Sequence, residues 1–140
     1  ASEEQGLNGS KHFVESWTNG YDKITAMINL DCIGYGDSIQ VGNGKSAPNL
    51  WEIANDIDKT SFNYMVDRTW SGGGADATPF FEKDIPCLYF VTTNSYDHLH
   101  LPSDKVETLN PTLYEKVVKL AHLTALEVAN GNYEREEITK

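Results

Sequence analysis

Two pairs of polar side chains have the types and contexts that metal-assisted hydrolysis requires. Glu3 and Glu4 are adjacent and immediately precede a predicted helix. Asp31 ends a predicted buried strand, and His100 lies in a polar loop. Zn²⁺ binds carboxylate oxygen and imidazole nitrogen, and a catalytic zinc combines about three protein ligands with a water. A neighbouring carboxylate outside the metal shell takes the proton from that water. Adjacent glutamates suit this division, with one as ligand and the other as base.

Each of these residues also has a simpler interpretation. An acidic pair at a helix start complements the helix dipole, and a strand-end carboxylate such as Asp31 often caps a loop. Loop histidines are usually solvated, and the same loop carries a second candidate ligand, His98. His12 and His122 lie within predicted helices, where we expect them on solvated faces. Only the combination of these residues favours a metal site over the simpler interpretations.

The elements that would position these residues alternate between helix and strand. Helices are predicted at 7–17, 48–57, from 78 through 81, and 110–130, with strands at 24–30, 38–41, 62–66 and 87–92. The runs at 24–30 and 87–92 are apolar enough to be buried on both faces. We therefore predict an α/β fold: a three-layer α/β/α sandwich with a mixed, largely parallel sheet. Asp31 and the loop 94–104 would then meet at the carboxyl edge of that sheet.

Length and composition limit the remaining possibilities. The chain has 140 residues, a formal net charge of −10 and a sequence pI near 4.7. This charge argues against a nucleic acid or an anionic membrane surface as partner, and no apolar run reaches the ~18 residues of a membrane span. Cys32 and Cys87 are interpreted as buried free thiols, with a disulfide as the alternative. We expect one domain over 1–131 and a polar tail at 132–140 that frays.

Four short motifs occur in order along residues 3 to about 129. They are Glu-Glu-Gln-Gly-Leu-Asn-Gly-Ser at 3–10, Ile-Asn-Leu-Asp at 28–31, the glycine-containing loop 74–81 before Ile-Pro at 85–86, and His-Leu-Pro-Ser-Asp at 100–104. A long helix follows the last motif. This order resembles the secreted zinc aminopeptidases with two co-catalytic metals, a family related to glutamate carboxypeptidases and glutaminyl cyclases.

The resemblance implies a role for each residue. Glu3 would be the general base, Glu4 and His100 would bind one zinc, and Asp31 would bind the second. His98 is the weaker ligand candidate, because the family motif fixes the register on His100. Asp104 would orient His100 or brace the loop. The implied reaction is attack of metal-activated water on an N-terminal peptide bond, with a peptide as substrate and a periplasmic or secreted location.

The resemblance also implies absences. The family supplies a further His and a metal-bridging Asp from strands before the Glu-Glu motif, and where it often has His after the glycine-loop Asp, this chain has Ala77. We therefore expect the C-terminal part of a catalytic domain, inactive alone, with zinc binding reduced or lost. An exposed sheet edge of such a fragment would favour self-association. The alternatives are a glutaminyl cyclase-like acyltransferase with one zinc, a non-catalytic domain of the same fold, and an unrelated α/β binding module.

Overall fold

A mixed sheet organises the part of the chain that the computed structural model describes, residues 2–140. Its three strands are β1 (Met27–Leu30), β2 (Ile39–Gly42) and β3 (Cys87–Thr92), in the spatial order β1-β3-β2. β1 runs parallel to β3, whereas β2 runs antiparallel to it. The central strand is therefore β3, and all six of its residues are buried.

Helices cover both faces of this sheet. Helices α1 (Asn8–Ser16), α2 (Pro48–Ser61), α3 (Thr78–Phe81) and α4 (Pro111–Ala129) follow the chain order, with short 3-10 turns at Glu3–Gln5, Tyr21–Lys23 and Val106–Thr108. Side chains of α2 and α4 pack on one face, around Leu88 and Phe90. Side chains of α1 and α3 pack on the other, around Cys87. The predicted three-layer α/β/α class with a mixed sheet is confirmed.

Where the sequence has clear strand or helix-capping signals, the predicted ends of the elements agree with the structure. β3 has the predicted bounds. Asn110 caps α4, because its side chain accepts a hydrogen bond from the Leu113 N–H at 3.1 Å, and Pro111 occupies the first turn, where no N–H is needed. Helix α2 continues to Ser61, beyond the predicted end at 57. None of the helices in residues 2–140 combines the length and the apolar character that crossing a membrane requires.

Two strand predictions need correction. β1 begins at Met27 rather than 24, and it is half-buried rather than buried on both faces, because among the described residues it pairs only with β3. The predicted strand at 62–66 forms only a single bridge, between Ile39 and Met65. The buried carboxylate of Asp58 accepts the N–H groups of Tyr64 and Met65 at 2.8–3.1 Å. These donors are therefore not available to a ladder.

The polar tail at 132–140 does not fray, contrary to expectation, and we call it the C-terminal strap. Tyr133 is 6% exposed and joins the core under α2 and α4. The Glu136 carboxylate accepts the N–H groups of Asn49 at 3.1 Å and Leu50 at 2.9 Å. Farther along, the Lys140 ammonium lies 2.7 Å from Asp84. The polar composition of the segment gave no sign of this packing, because it depends on a few specific contacts with residues far away in sequence.

Candidate functional site

A cleft of about 250 Å³ lies at the carboxyl edge of β1 and β3. The four predicted site residues, Glu3, Glu4, Asp31 and His100, all line it. They come from three separate segments: the 3-10 turn at Glu3–Gln5, the residue after β1, and the loop that follows β3. The Asp31 N–H donates to the Phe90 carbonyl at 3.1 Å, which continues the pairing of β1 with β3 and fixes the backbone position of this carboxylate.

Glu4 and His100 face each other across the cleft. His100 Nε2 lies 3.4 Å from Glu4 Oε2, and both side chains are more than half exposed. A charge-assisted hydrogen bond between such groups would be about 2.7–2.9 Å long, so the two atoms are too far apart for a good direct bond. Two ligand atoms about 2.0–2.1 Å from one tetrahedral zinc stand about 3.3–3.4 Å apart. The separation in this pair therefore suits two ligands of a single ion.

Asp31 is held by two donors in the cleft wall. The Tyr89 hydroxyl donates to its Oδ2 at 3.3 Å, and the Cys32 thiol donates to its Oδ1 at 3.3 Å. The Tyr89 bond is long for an O–H donor, and the two bonds leave lone pairs of the carboxylate free. Burial raises the pKa of Tyr89, so its hydroxyl remains a donor. Sequence reasoning missed Tyr89, although a tyrosine within a buried strand needs a partner for its O–H.

The environment of Glu3 favours a protonated carboxyl more than bulk water does. Partial burial raises the pKa of Glu3, the neighbouring carboxylates of Asp31, Glu4 and Asp76 raise it further, and His100 lowers it. Asp76 belongs to the glycine-containing loop, and its Oδ1 is buried without a hydrogen-bond partner among residues 2–140. An unpaired buried carboxylate oxygen is costly. Negative charge is therefore concentrated at this cleft, as expected of a site built for a cation.

The other residues considered for the site lie apart from it. His98 Nδ1 is 2.9 Å from the Ser103 hydroxyl, and its ring packs edge-on against Tyr35, so it has a structural role outside the cleft. Asp104 makes no hydrogen bond to His100 within the described chain; its N–H donates to Leu101 and stabilises the loop turn. Ala77 is fully buried in the core cluster around Cys87.

Backbone strain accompanies the cleft. Among its lining residues, Cys32, Ala75 and His100 have φ values of 52°, 43° and 59°. Residues other than glycine rarely adopt this left-handed region, and such conformations cost of order 1–3 kcal/mol each. The surrounding structure therefore holds these three side chains in place against a local preference.

The cleft side chains are of the types that bind zinc, but too few of them converge on one point to complete a zinc site. Carboxylates and imidazole are appropriate zinc ligands. In the described part of the chain, however, no three His, Cys, Asp or Glu side chains converge closely enough to hold one ion. Glu4 and His100 form one half-site, and Asp31 stands apart with its own partners. Cys32 and Cys87 are free thiols, so no disulfide contributes to the site.

Comparison with known proteins places this geometry in context. A model of peptidase family M28 matches residues 1–125. A probable leucine aminopeptidase of Arthroderma benhamiae is 28% identical over 134 residues, which are 92% of this chain and 37% of the relative. The zinc aminopeptidase BSAP of Bacillus subtilis is similar over 100% of this chain and 37% of its own, with a TM-score of 0.75 and 21% identity.

A glutaminyl cyclase from an Acidobacteriales bacterium has the same fold, with a TM-score of 0.72 and 20% identity over 91% of this chain and 47% of its own. At these identities the structural likeness shows the fold alone. The fold therefore does not distinguish a peptidase from a cyclase. The chain spans about 37% of the length of the curated relatives it matches.

Proposed function

Because this chain belongs to peptidase family M28, we propose that it forms part of the catalytic domain of a zinc-dependent exopeptidase of the aminopeptidase type. The observation that carries the proposal is the pairing of Glu4 and His100 at 3.4 Å in one cleft with Glu3 and Asp31. The names of the relatives support the reaction class. The substrate is then a peptide with a free N-terminus.

Each cleft residue has a chemical task in this proposal. Glu4 and His100 would hold one zinc, and Asp31, oriented by the Tyr89 hydroxyl, would hold a second. Zinc, when bound, supplies a Lewis acid that polarises the peptide carbonyl and lowers the pKa of water. Glu3 accepts a proton from the attacking water and returns it to the leaving amine nitrogen. Its raised pKa matches a group that must both take and release a proton.

We further propose that residues 1–140 do not turn over substrate alone, because the described residues offer no group of three converging ligands. Robust aminopeptidase activity of this chain, sensitive to chelators and lost in Glu3→Gln, would contradict that statement while supporting the assignment of the base. Because its motif order resembles that of secreted zinc aminopeptidases, we also propose that the protein acts in the periplasm or outside the cell.

Zinc titration by calorimetry tests the ligand assignment directly. We expect weak binding by the 140-residue chain and affinity reduced more than about 10-fold in His100→Ala, because two ligands become one. His122→Ala is the matched control, since it removes an exposed histidine on α4. Glu3→Gln should retain binding, because the base is not a ligand. Equal losses in both histidine variants would indicate nonspecific surface binding and refute the site.

A further inference from the structure

A second cavity, of about 300 Å³, adjoins the cleft, and we call it the side pocket. Gln40, Val91 and Thr92 form its buried floor, and Trp70 and Tyr96 form its walls. Tyr96 lines the cleft as well, so the two cavities share a wall. The side pocket is therefore placed to receive a side chain of a molecule whose reacting group lies in the cleft.

The sheet itself dictates this arrangement. Gln40 pairs with Val91, and Gly42 pairs with Tyr89, across β2 and β3. Residues paired across an antiparallel ladder point to the same face, so two residues of the floor, Gln40 and Val91, share one face of the sheet with Tyr89. The Trp70 ring packs edge-on against Tyr89, with 5.9 Å between centroids. One continuous layer of side chains thus connects the side pocket with the carboxylate that Tyr89 contacts.

Gly42 makes room for the aromatic wall. A Cβ at this position would lie 2.0 Å from the Trp70 ring, which is far inside van der Waals contact. Only glycine therefore permits the ring to lie against β2. The absence of a side chain at Gly42 thus sets the position of the Trp70 ring, and this wall of the side pocket is formed without a ligand.

Arg68 provides the charge of the side pocket. It is the only charged residue among those that line the pocket in the described chain. Its Nη2 donates to Gln40 Oε1 at 3.1 Å, and Gln40 Nε2 donates back to the Arg68 carbonyl at 3.3 Å. Gln40 is only 8% exposed. A buried amide thus holds Arg68 at two points, its guanidinium and its main-chain carbonyl.

This guanidinium has no acidic partner. Among residues 2–140, no carboxylate lies within 4.0 Å of Arg68, although the chain has 21 acidic residues and 11 basic ones. The bond to Gln40 is the only side-chain hydrogen bond of Arg68 in the same region. The remaining N–H donors form the fork that recognises a carboxylate through two parallel hydrogen bonds.

We propose that the side pocket is a substrate subsite that selects an acidic side chain beside the bond to be cleaved, with Arg68 as the specificity-determining residue. The apolar parts of Trp70, Tyr96 and Val91 contact the methylene groups of that side chain, and the guanidinium receives its carboxylate. This inference rests on the proposed peptidase function, because a substrate subsite exists only if the cleft cleaves a peptide. The recognition itself needs no metal and no turnover.

The experiment compares glutamic acid α-amide with glutaminamide, which differ by one charge at nearly constant shape. Binding to the 140-residue chain is followed by the indole N–H signals in two-dimensional NMR. Trp17 and Trp51 serve as internal references, because their indoles donate to Gly20 and Val41. The Trp70 signal, assigned with Trp70→Phe, should shift on binding. We expect about 5-fold tighter binding of the acidic ligand, a modest value because Arg68 is exposed.

Variants assign the preference to one residue. Arg68→Gln should bind both ligands equally, and Arg68→Lys should retain part of the preference, since it keeps the charge but loses the fork. Lys59→Gln removes an equal charge from an exposed position on α2 and should leave the preference unchanged. The Arg68→Lys result keeps the test decisive even if Arg68→Gln folds poorly.

Several outcomes overturn the inference: no Trp70 response, equal affinities in the unmodified chain, or a preference that survives Arg68→Gln. These outcomes differ from failure of the proposed function. A chain whose zinc binding depends on His100 but which lacks the acidic preference contradicts only the subsite. A chain with an Arg68-dependent preference but no His100-dependent zinc binding contradicts only the metal assignment.

Discussion

Glu136 supplies helix α2 with a cap that the residues before the helix do not provide. The capping position, Ala47, has no side chain able to accept a hydrogen bond, and Pro48 has no N–H. The next two N–H groups, of Asn49 and Leu50, both donate to the Glu136 carboxylate. Replacing Glu136 with Ala would remove the acceptor and the negative charge together. The predicted result is loss of stability, transmitted from the C-terminal strap to a helix far away in sequence.

The size of this loss follows from two contributions. A lost N-terminal cap costs typically about 1 kcal/mol of unfolding free energy. A negative charge near a helix N-terminus typically contributes about 0.3–1 kcal/mol more. We therefore expect Glu136→Ala to lower the unfolding free energy by about 2 kcal/mol, which corresponds to a fall in Tm of about 6 °C for a chain of this size. Glu136→Gln keeps an acceptor oxygen but loses the charge, so its cost should be about half.

Urea unfolding followed by circular dichroism at 222 nm measures these differences. Glu137→Ala is the matched control, because it removes the same charge from an exposed neighbour and should change stability by less than about 0.5 kcal/mol. Salt separates the two contributions, since about 1 M NaCl screens the charge but not the hydrogen bonds. Equal stabilities of the Glu136→Ala and Glu137→Ala variants would show that the strap does not cap α2, and the reasoning would fail.

Three further predictions concern the buried thiol of Cys87 and the free edge of strand β1. Burial raises the pKa of the Cys87 thiol to about 12, so at pH 8 it is protonated and iodoacetamide should label it only as fast as the protein opens; rapid labelling of the folded chain would be inconsistent with this environment. The same shift predicts that unfolding free energy falls as pH rises from about 9 towards 12, because the unfolded thiol releases its proton first. Leu30 is 39% exposed on β1, which has a free edge in the described chain, and we propose that this edge supports self-association. Light scattering should show less self-association in Leu30→Lys than in Leu126→Lys. Leu126 is the control, because it is similarly exposed, at 43%, but lies on α4. A monomeric unmodified chain would contradict the proposal.

The sequence predicted well those parts of the fold whose signals are local. Helix α4 has its cap, its first-turn proline and its polar end within the segment itself. β3 is central, buried throughout and mostly apolar, so its bounds could be predicted from its own residues. β1 was less predictable, since the burial of a strand depends on what pairs with its other side, and nothing in the residues of the strand specifies that neighbour.

The cleft residues were likewise predictable from sequence motifs, whereas a contact between residues far apart in sequence was not. Motif order brought Glu3, Glu4, Asp31 and His100 into one hypothesis, and the structure brings them into one cleft; their roles as base and ligands remain predictions. Tyr89, which contacts Asp31, was missed because the contact joins residues 58 positions apart in sequence.

The cleft and the folding core are largely separate parts of this chain. None of the four predicted site residues belongs to either core cluster, and the side chains of Glu4 and His100 are 67% and 63% exposed. Exposed groups of this kind contribute little to stability. A substitution in the cleft can therefore alter metal binding without unfolding the chain. Conversely, loss of the Glu136 cap should destabilise the protein while the geometry of the cleft persists in the folded fraction, so stability and zinc affinity should vary independently among these variants.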